Sequence, residues 1–260
     1  MQHRFCENIM NIVNTFYDYD ERLEMPSNPR KFPKYKMNFK YSNGSNKSCD
    51  DSVILIDSSS LNIQTKNYFE TKYKIKNLKE ESFDTNNWNN NLYSSTVNPY
   101  NCLIITNVID SLYQNNNPNL KLNNIGIITM TRSQKSLIKN ELKKINHEYT
   151  QIKVDTVDNF QGRENEIIIL DFVRSHGQLK NNTVDYDNKR NLNFYFVNER
   201  NNVAISRSKA KLIIVGSFNK HYLNNSTIKD VKNITQEQGF LKRIYDEINS
   251  DCVLDAGEFI

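Results

Sequence analysis

The chain has 260 residues, 25% of them charged and 37% hydrophobic, enough for one substantial core or one domain with an appended tail. No stretch approaches the roughly 20 apolar residues of a membrane-crossing helix, no apolar run follows Met1-Gln2-His3-Arg4 as in a secretory signal, and Cys6, Cys49, Cys102 and Cys252 form no C-x-x-C pair. The net charge of +4 is compatible with a nucleic-acid partner but too small to argue for one. The expectation is a reduced, intracellular protein, nuclear or cytoplasmic, without structural zinc or other metal-ligand side-chain spacing.

Taken in chain order, Ile9, Ile12, Val13, Phe16 and Tyr17 recur at helical spacing and predict a helix over 4–17. Residues 26–50 are rich in Pro, Lys, Asn and Ser and read as an irregular surface insertion. Val53 to Asp57 is a buried strand. The Asn-rich stretch 62–97 reads as a second, polar insertion. Leu103 to Tyr113 is helical. Ile125 to Met130 is a strand, and Ser133 is the expected N-cap of a helix ending near Ile145. A strand near 152–154 and a stronger one from Ile167 to Val173 follow, then a polar loop over 178–191. Phe196 to Lys209 is expected to be helical, Leu212 to Gly216 a strand, and Phe240 to Ile248 a last helix within a separate tail, 227–260. Near-continuous Ile/Val/Leu strands alternating with helices predict a parallel α/β sheet covered on both faces, with 1–226 as its domain.

Two segments carry most of the chemistry. The first is Val154-Asp155-Thr156-Val157-Asp158-Asn159-Phe160-Gln161-Gly162-Arg163-Glu164, with the apolar run Ile167 to Leu170 behind it. A strand ending in a polar, glycine-containing turn puts short side chains and N–H groups at the carboxyl edge of an open sheet, where such sheets bind ligands. The second is Asn202-Val203-Ala204-Ile205-Ser206-Arg207-Ser208-Lys209, followed by Leu212-Ile213-Ile214-Val215-Gly216. Phosphoryl transfer needs positive charge as bonds to the γ-phosphate loosen, and an arginine from a second domain often supplies it. Met alone, the first segment is an ordinary turn with a solvated Arg-Glu pair and Arg207 a helix-surface residue. Their order, spacing and following strands point further.

In that order and spacing the two resemble motifs V and VI of superfamily 1 helicases, in the branch of the senataxin-type and regulator-of-nonsense-transcripts-type proteins. The resemblance implies a RecA-like fold for the second of two motor domains. It implies that Arg207 is the arginine finger, that Gly162, Arg163 and Glu164 face the nucleotide, with Glu164 on a ribose hydroxyl, and that Thr156 and Asp158 lie against the nucleic-acid backbone. Gln2-His3-Arg4 resembles the family's Q-Y-R-M-H-P segment. That implies nucleotide contacts from Gln2, stacking by His3 in the tyrosine's place, and a second phosphate contact from Arg4, although Phe5-Cys6-Glu7 replaces Met-His-Pro. Ile125 to Gln134 resembles G-V-I-T-P-Y-x-x-Q, with Met130-Thr131 in place of Pro-Tyr; Thr129 and Arg132 are its implied strand contacts. The implied partners are a single strand of RNA or DNA, ATP with Mg²⁺, and an N-terminal RecA-like domain.

That partner domain is needed because no phosphate-cradling G-x-x-x-x-G-K-[ST] loop is present: none of the seven glycines is followed by lysine. Asp20-Glu21 and Asp246-Glu247 sit in polar surroundings rather than at the end of an apolar strand. By itself the chain is expected not to hydrolyse ATP. Two readings follow. One is the C-terminal motor half of an ATP-dependent helicase. The other is a truncated, non-catalytic nucleic-acid-binding or scaffold module. A nuclease is disfavoured, because no carboxylates cluster with a lysine to hold two metal ions. Trp88, Tyr186 and Tyr195 are candidate base-stacking rings, more simply read as core anchors.

Overall fold

A computed structural model of the chain describes residues 2–58, 98–114, 117, 120–173, 179–180, 183–184, 198–216, 218 and 240–259. The insertion read at 62–97, most of the loop at 178–191 and the rings of Trp88, Tyr186 and Tyr195 lie outside them.

The first helix, α1 (Glu7–Asn14), is shorter than its apolar spacing suggests; Phe5 is buried ahead of it, and residues 15–17 close the last turn. The segment read as an irregular surface insertion instead holds an antiparallel hairpin, β1 (Met37–Lys40) with β2 (Asn46–Cys49). Its alternation was hidden in a Lys- and Asn-rich context, yet Met37 and Phe39 point inward and are buried. Strand β3 (Val53–Asp57) follows, and then α2 (Pro99–Gln114). Pro99 suits the first helical position, and Asn98 caps it by accepting from the Asn101 N–H at 3.1 Å. The Ser111 hydroxyl on α2 accepts from Asn38 N–H and donates to Asn38 C=O, both at 2.9 Å, fastening the hairpin down.

Strand β4 (Ile125–Thr129) leads into α3 (Arg132–Ile145). Thr131 caps this helix, not Ser133: the Thr131 hydroxyl accepts from Gln134 N–H, and Ser133 is already inside the helix and buried. Next come β5 (Lys153–Thr156), β6 (Asn165–Asp171), the two-residue ribbon β7 (Leu179–Lys180) and β8 (Thr183–Val184), and α4 (Asn198–Ile205). The helix expected to reach Lys209 stops at Ile205, and β9 (Ser208–Gly216) begins there, because Ser208 already pairs with Asn165. After α5 (Phe240–Glu247) the tail, expected only as a helix, adds a strand, β10 (Val253–Asp255).

Six strands form one parallel sheet in the order β10-β3-β9-β6-β4-β5. Period-2 alternation sends Ile54, Ile56, Ile127, Ile169, Ile213 and Val215 to one face, under α2 and α3. Val53, Leu55, Ile128, Ile168, Leu170 and Ile214 meet α1, α4 and α5 on the other. Each Ile or Leu so buried contributes about 1.5–3 kcal/mol, so both faces hold the sheet. This is the parallel α/β architecture expected from the strand-helix alternation, in the RecA-like form that the resemblance implied. Among the described residues no helix is long and apolar enough to cross a membrane.

Candidate functional site

The expected site residues fall at two opposite edges of the sheet, separated by the length of a five-residue strand, about 17 Å. The sequence reading put the whole Thr156–Glu164 segment at the carboxyl edge. Parallel pairing forbids that: the chain leaves the carboxyl end of β5 and must return to the amino end of β6. Thr156 therefore stays at the carboxyl edge, and Glu164 arrives at the amino edge. Gly162 makes the return with φ +80, a backbone state that favours glycine. Gly162 and Arg163 are both exposed.

At the amino edge three distant stretches of chain converge. Glu164 Oε1 pairs with Arg4 Nε at 2.7 Å, and its Oε2 lies 3.4 Å from Lys209 Nζ. Arg207 sits beside them. Burial lowers its pKa most, the Arg4 charge lowers it further, and Glu164 opposes both. Its Nε donates to Val203 C=O at 3.1 Å, which holds the side chain against the last turn of α4. Arg207 lies in the turn between α4 and β9, not within the helix as its spacing suggested.

Lys209 is aimed by an irregularity in the ladder. Between two registered pairs, Asn165 with Ser208 and Ile167 with Lys211, β9 carries one residue more than β6. Such a bulge turns side chains out of the regular alternation. The freed backbone holds the N-terminal segment: Cys6 N–H donates to Lys209 C=O at 3.0 Å, and the Cys6 thiol to Ala210 C=O at 3.7 Å. Asn202 Nδ2 adds a bond to the Tyr17 hydroxyl at 3.1 Å. Arg4 is thus fixed to motif VI across some two hundred residues. Gln2 does not point at this cluster. It is buried; its amide donates to Phe5 C=O and accepts from Arg4 and Phe5 N–H, shaping the turn that presents Arg4. His3 is exposed next to Arg4.

Three cations (Arg4, Arg207, Lys209) around one carboxylate leave an excess of two positive charges, partly desolvated, which suits a phosphate-bearing ligand. Glu164, the carboxylate of this cluster, is held by Arg4 and Lys209, and among the described residues no three or more His, Cys, Asp or Glu side chains group to hold a metal ion, so the cluster as described does not fit Mg²⁺ by itself.

The carboxyl edge is built differently. Thr156 is 9% exposed at the end of β5. Asp158, in the following turn, is exposed and paired with Arg200 of α4. Arg132 is exposed at the first residue of α3. Thr129, expected to touch the strand, is fully buried, and its hydroxyl donates to Asp171 Oδ2 at 3.1 Å. Its neighbour across the ladder accounts for this. Asp171 ends β6 wholly buried and also accepts from Gln134 Nε2 at 2.9 Å and Asn101 Nδ2 at 2.8 Å. Burial raises its pKa to about 6, against those three hydrogen bonds. Asp171 escaped the sequence reading because it sits at the end of an apolar run; an acidic residue closing a buried strand was the available signal. The network ties β6, β4, α2 and α3 together beneath Arg132.

An open parallel sheet of this order, covered by helices on both faces, is a RecA-like α/β fold. The family described as an AAA domain matches residues 1–219. Relatives include the DNA replication ATP-dependent helicase/nuclease dna2 of Schizosaccharomyces pombe, 38% identical over 101 residues, 38% of this chain and 6% of that protein. The DNA replication ATP-dependent helicase/nuclease JHS1 of Arabidopsis thaliana is 27% identical over 219 residues, 83% of this chain and 13% of that protein. Probable helicase senataxin of Homo sapiens is 30% identical over 143 residues, 53% of this chain and 5% of that protein. The chain belongs to the AAA domain family and, with these relatives, to the superfamily 1 helicases, as their C-terminal RecA-like domain. It spans only 6%, 13% and 5% of the lengths of these three relatives.

Proposed function

We propose that this chain acts as the C-terminal motor half of an ATP-dependent helicase working on a single strand of RNA or DNA. The observation that carries the reading is the convergence of Arg4, Glu164, Arg207 and Lys209 at the amino edge. In this reading ATP sits between that cluster and an N-terminal RecA-like domain, which supplies the phosphate-cradling loop and the Mg²⁺ ligands. Arg207 acts as the finger and Arg4 as a second γ-phosphate contact. Glu164 exchanges its ion pairs for a ribose hydroxyl, with Gly162 and Arg163 lining the approach and His3 against the base. Gln2 works indirectly, by holding the Arg4 turn. At the other edge Thr156, with Arg132 and the Arg200-paired Asp158, lies along the strand's backbone, and Thr129 supports that edge through Asp171.

The test is strand-stimulated ATP hydrolysis by this chain together with a P-loop motor domain from a relative. Arg207→Ala should lower turnover by about 10³-fold or more, the range of an arginine finger, while single-strand binding stays within a few-fold. Unchanged turnover in that variant would remove the finger assignment, and with it the motor reading in favour of a binding or scaffold module.

A further inference from the structure

Beyond Arg132, one surface carries lysines that the motor reading does not use. Helix α3 turns once every 3.6 residues, so Arg132, Lys135, Lys139 and Lys143 fall within about 80° of one another around its axis, opposite the face that buries Gln134, Leu137 and Glu141 and with Lys135 bordering the buried Leu142. Beside this stripe runs β5, the edge strand, which brings Lys153. Asp155 lies between them, 2.6 Å from Lys135 Nζ and 3.4 Å from Lys153 Nζ. Burial raises the Asp155 pKa, but hydrogen bonds from Lys135, Asn159 and the Thr156 N–H outweigh it and hold the carboxyl well below the usual range. Asp155 thus stays ionised and pins the lysines in place. Five cations less one carboxylate leave +4 on this ridge, equal to the net charge of the whole chain. Lys139 has its pKa lowered by burial and then by Lys135 and Lys153, so the fold holds these charges close against their own repulsion.

We infer that the ridge Arg132–Lys135–Lys139–Lys143, with Lys153, is a second contact surface for the sugar-phosphate backbone of a single nucleic-acid strand. The ridge starts at the carboxyl edge, where Thr156 and Arg132 lie, and descends α3 toward the amino edge. Successive lysines four residues apart step by about 6 Å, a spacing suited to a repeating anion. The ridge extends the strand path around the outside of the sheet, so it deepens the reading of the carboxyl edge and rests on it. Contacts of this kind are to phosphates and carry no sequence preference.

Fluorescence anisotropy of a dye-labelled 20-nucleotide oligouridylate, titrated with the full chain at several salt concentrations, tests this. Each phosphate contact on a single strand contributes about 0.7 to the slope of log K against log salt. The triple variant K139Q/K143Q/K153Q should therefore bind more weakly and lose about 2 from that slope, with an unchanged far-UV circular dichroism spectrum. Gln keeps helix propensity at the exposed positions 139 and 143. Thr156→Val, at the carboxyl edge, should weaken binding with little change in slope. A triple variant with the wild-type slope overturns the ridge whatever Thr156→Val does. A reduced slope in the triple variant beside an inert Thr156→Val upholds the ridge and overturns the carboxyl-edge contact. No binding by the wild type overturns both. An oligoglutamate that displaces the strand at equal concentration overturns nucleic acid as the occupant in favour of an acidic peptide.

Discussion

Replacing Asp171 by Asn should change how the stability of this domain depends on pH. The folded carboxyl titrates near 6 and its ordinary value is 3.8, the difference arising chiefly from complete burial. About 2 units at 1.36 kcal/mol each gives about 3 kcal/mol. The folded pKa is raised, so between pH 4 and 6 the folded protein holds a proton that the unfolded chain releases. The stabilisation is complete below 3.8 and is lost as pH rises through about 6. Asp171→Asn cannot titrate, and it keeps the shape and one carbonyl acceptor. Other carboxylates, Asp155 among them, cancel in the difference between the two proteins. Urea unfolding followed by circular dichroism at pH 4, 5, 6 and 7 should show wild type losing about 3 kcal/mol relative to the variant across that range. In melting temperature that is roughly 6–12 °C for a domain this size. A difference between the two proteins that is constant with pH to within 1 kcal/mol would refute the reasoning, because it would mean that the carboxylate is solvated or paired with a cation.

A Cβ on Gly126 would lie 2.6 Å from Phe160 Cζ and 2.9 Å from Ile168 Cδ1. Gly126→Ala should therefore cost about 1–3 kcal/mol by overpacking; a loss under 0.5 kcal/mol in urea unfolding would show that Phe160 yields freely. Lys211 is 1% exposed, donates to Asp51 C=O at 2.5 Å, and is lowered to about 8 chiefly by burial. The unfolded chain therefore binds the extra proton between pH 8 and 10.5, and wild-type stability rises over that window. Lys211→Met should be about 1–3 kcal/mol more stable at pH 7, with the advantage shrinking toward pH 10. A variant less stable at pH 7 would show that the Asp51 bond outweighs the cost of burying the charge.

The chain's own order of residues determined much of this. Short Ile/Val/Leu runs such as Ile167 to Leu170 and Leu212 to Val215, set between helical patterns, read as strands buried on both faces, so the parallel α/β class followed from the local pattern. The segments around Gly162 and Arg207 carried the helicase resemblance because their residue types and spacing are local as well. Tertiary structure decided what faces what. Parallel pairing sends Glu164 to the opposite edge from Thr156, and the placement of β9 beside β6 brings Arg207 next to Glu164. A one-residue bulge turns out Lys209 and ties it to Cys6, and hence to Arg4. The buried ends of β4 and β6 draw Thr129 into the Asp171 network and away from solvent. Hydrophobic spacing records which face of an element is buried. It carries no record of strand order, and strand order is what brings residues two hundred positions apart onto one carboxylate.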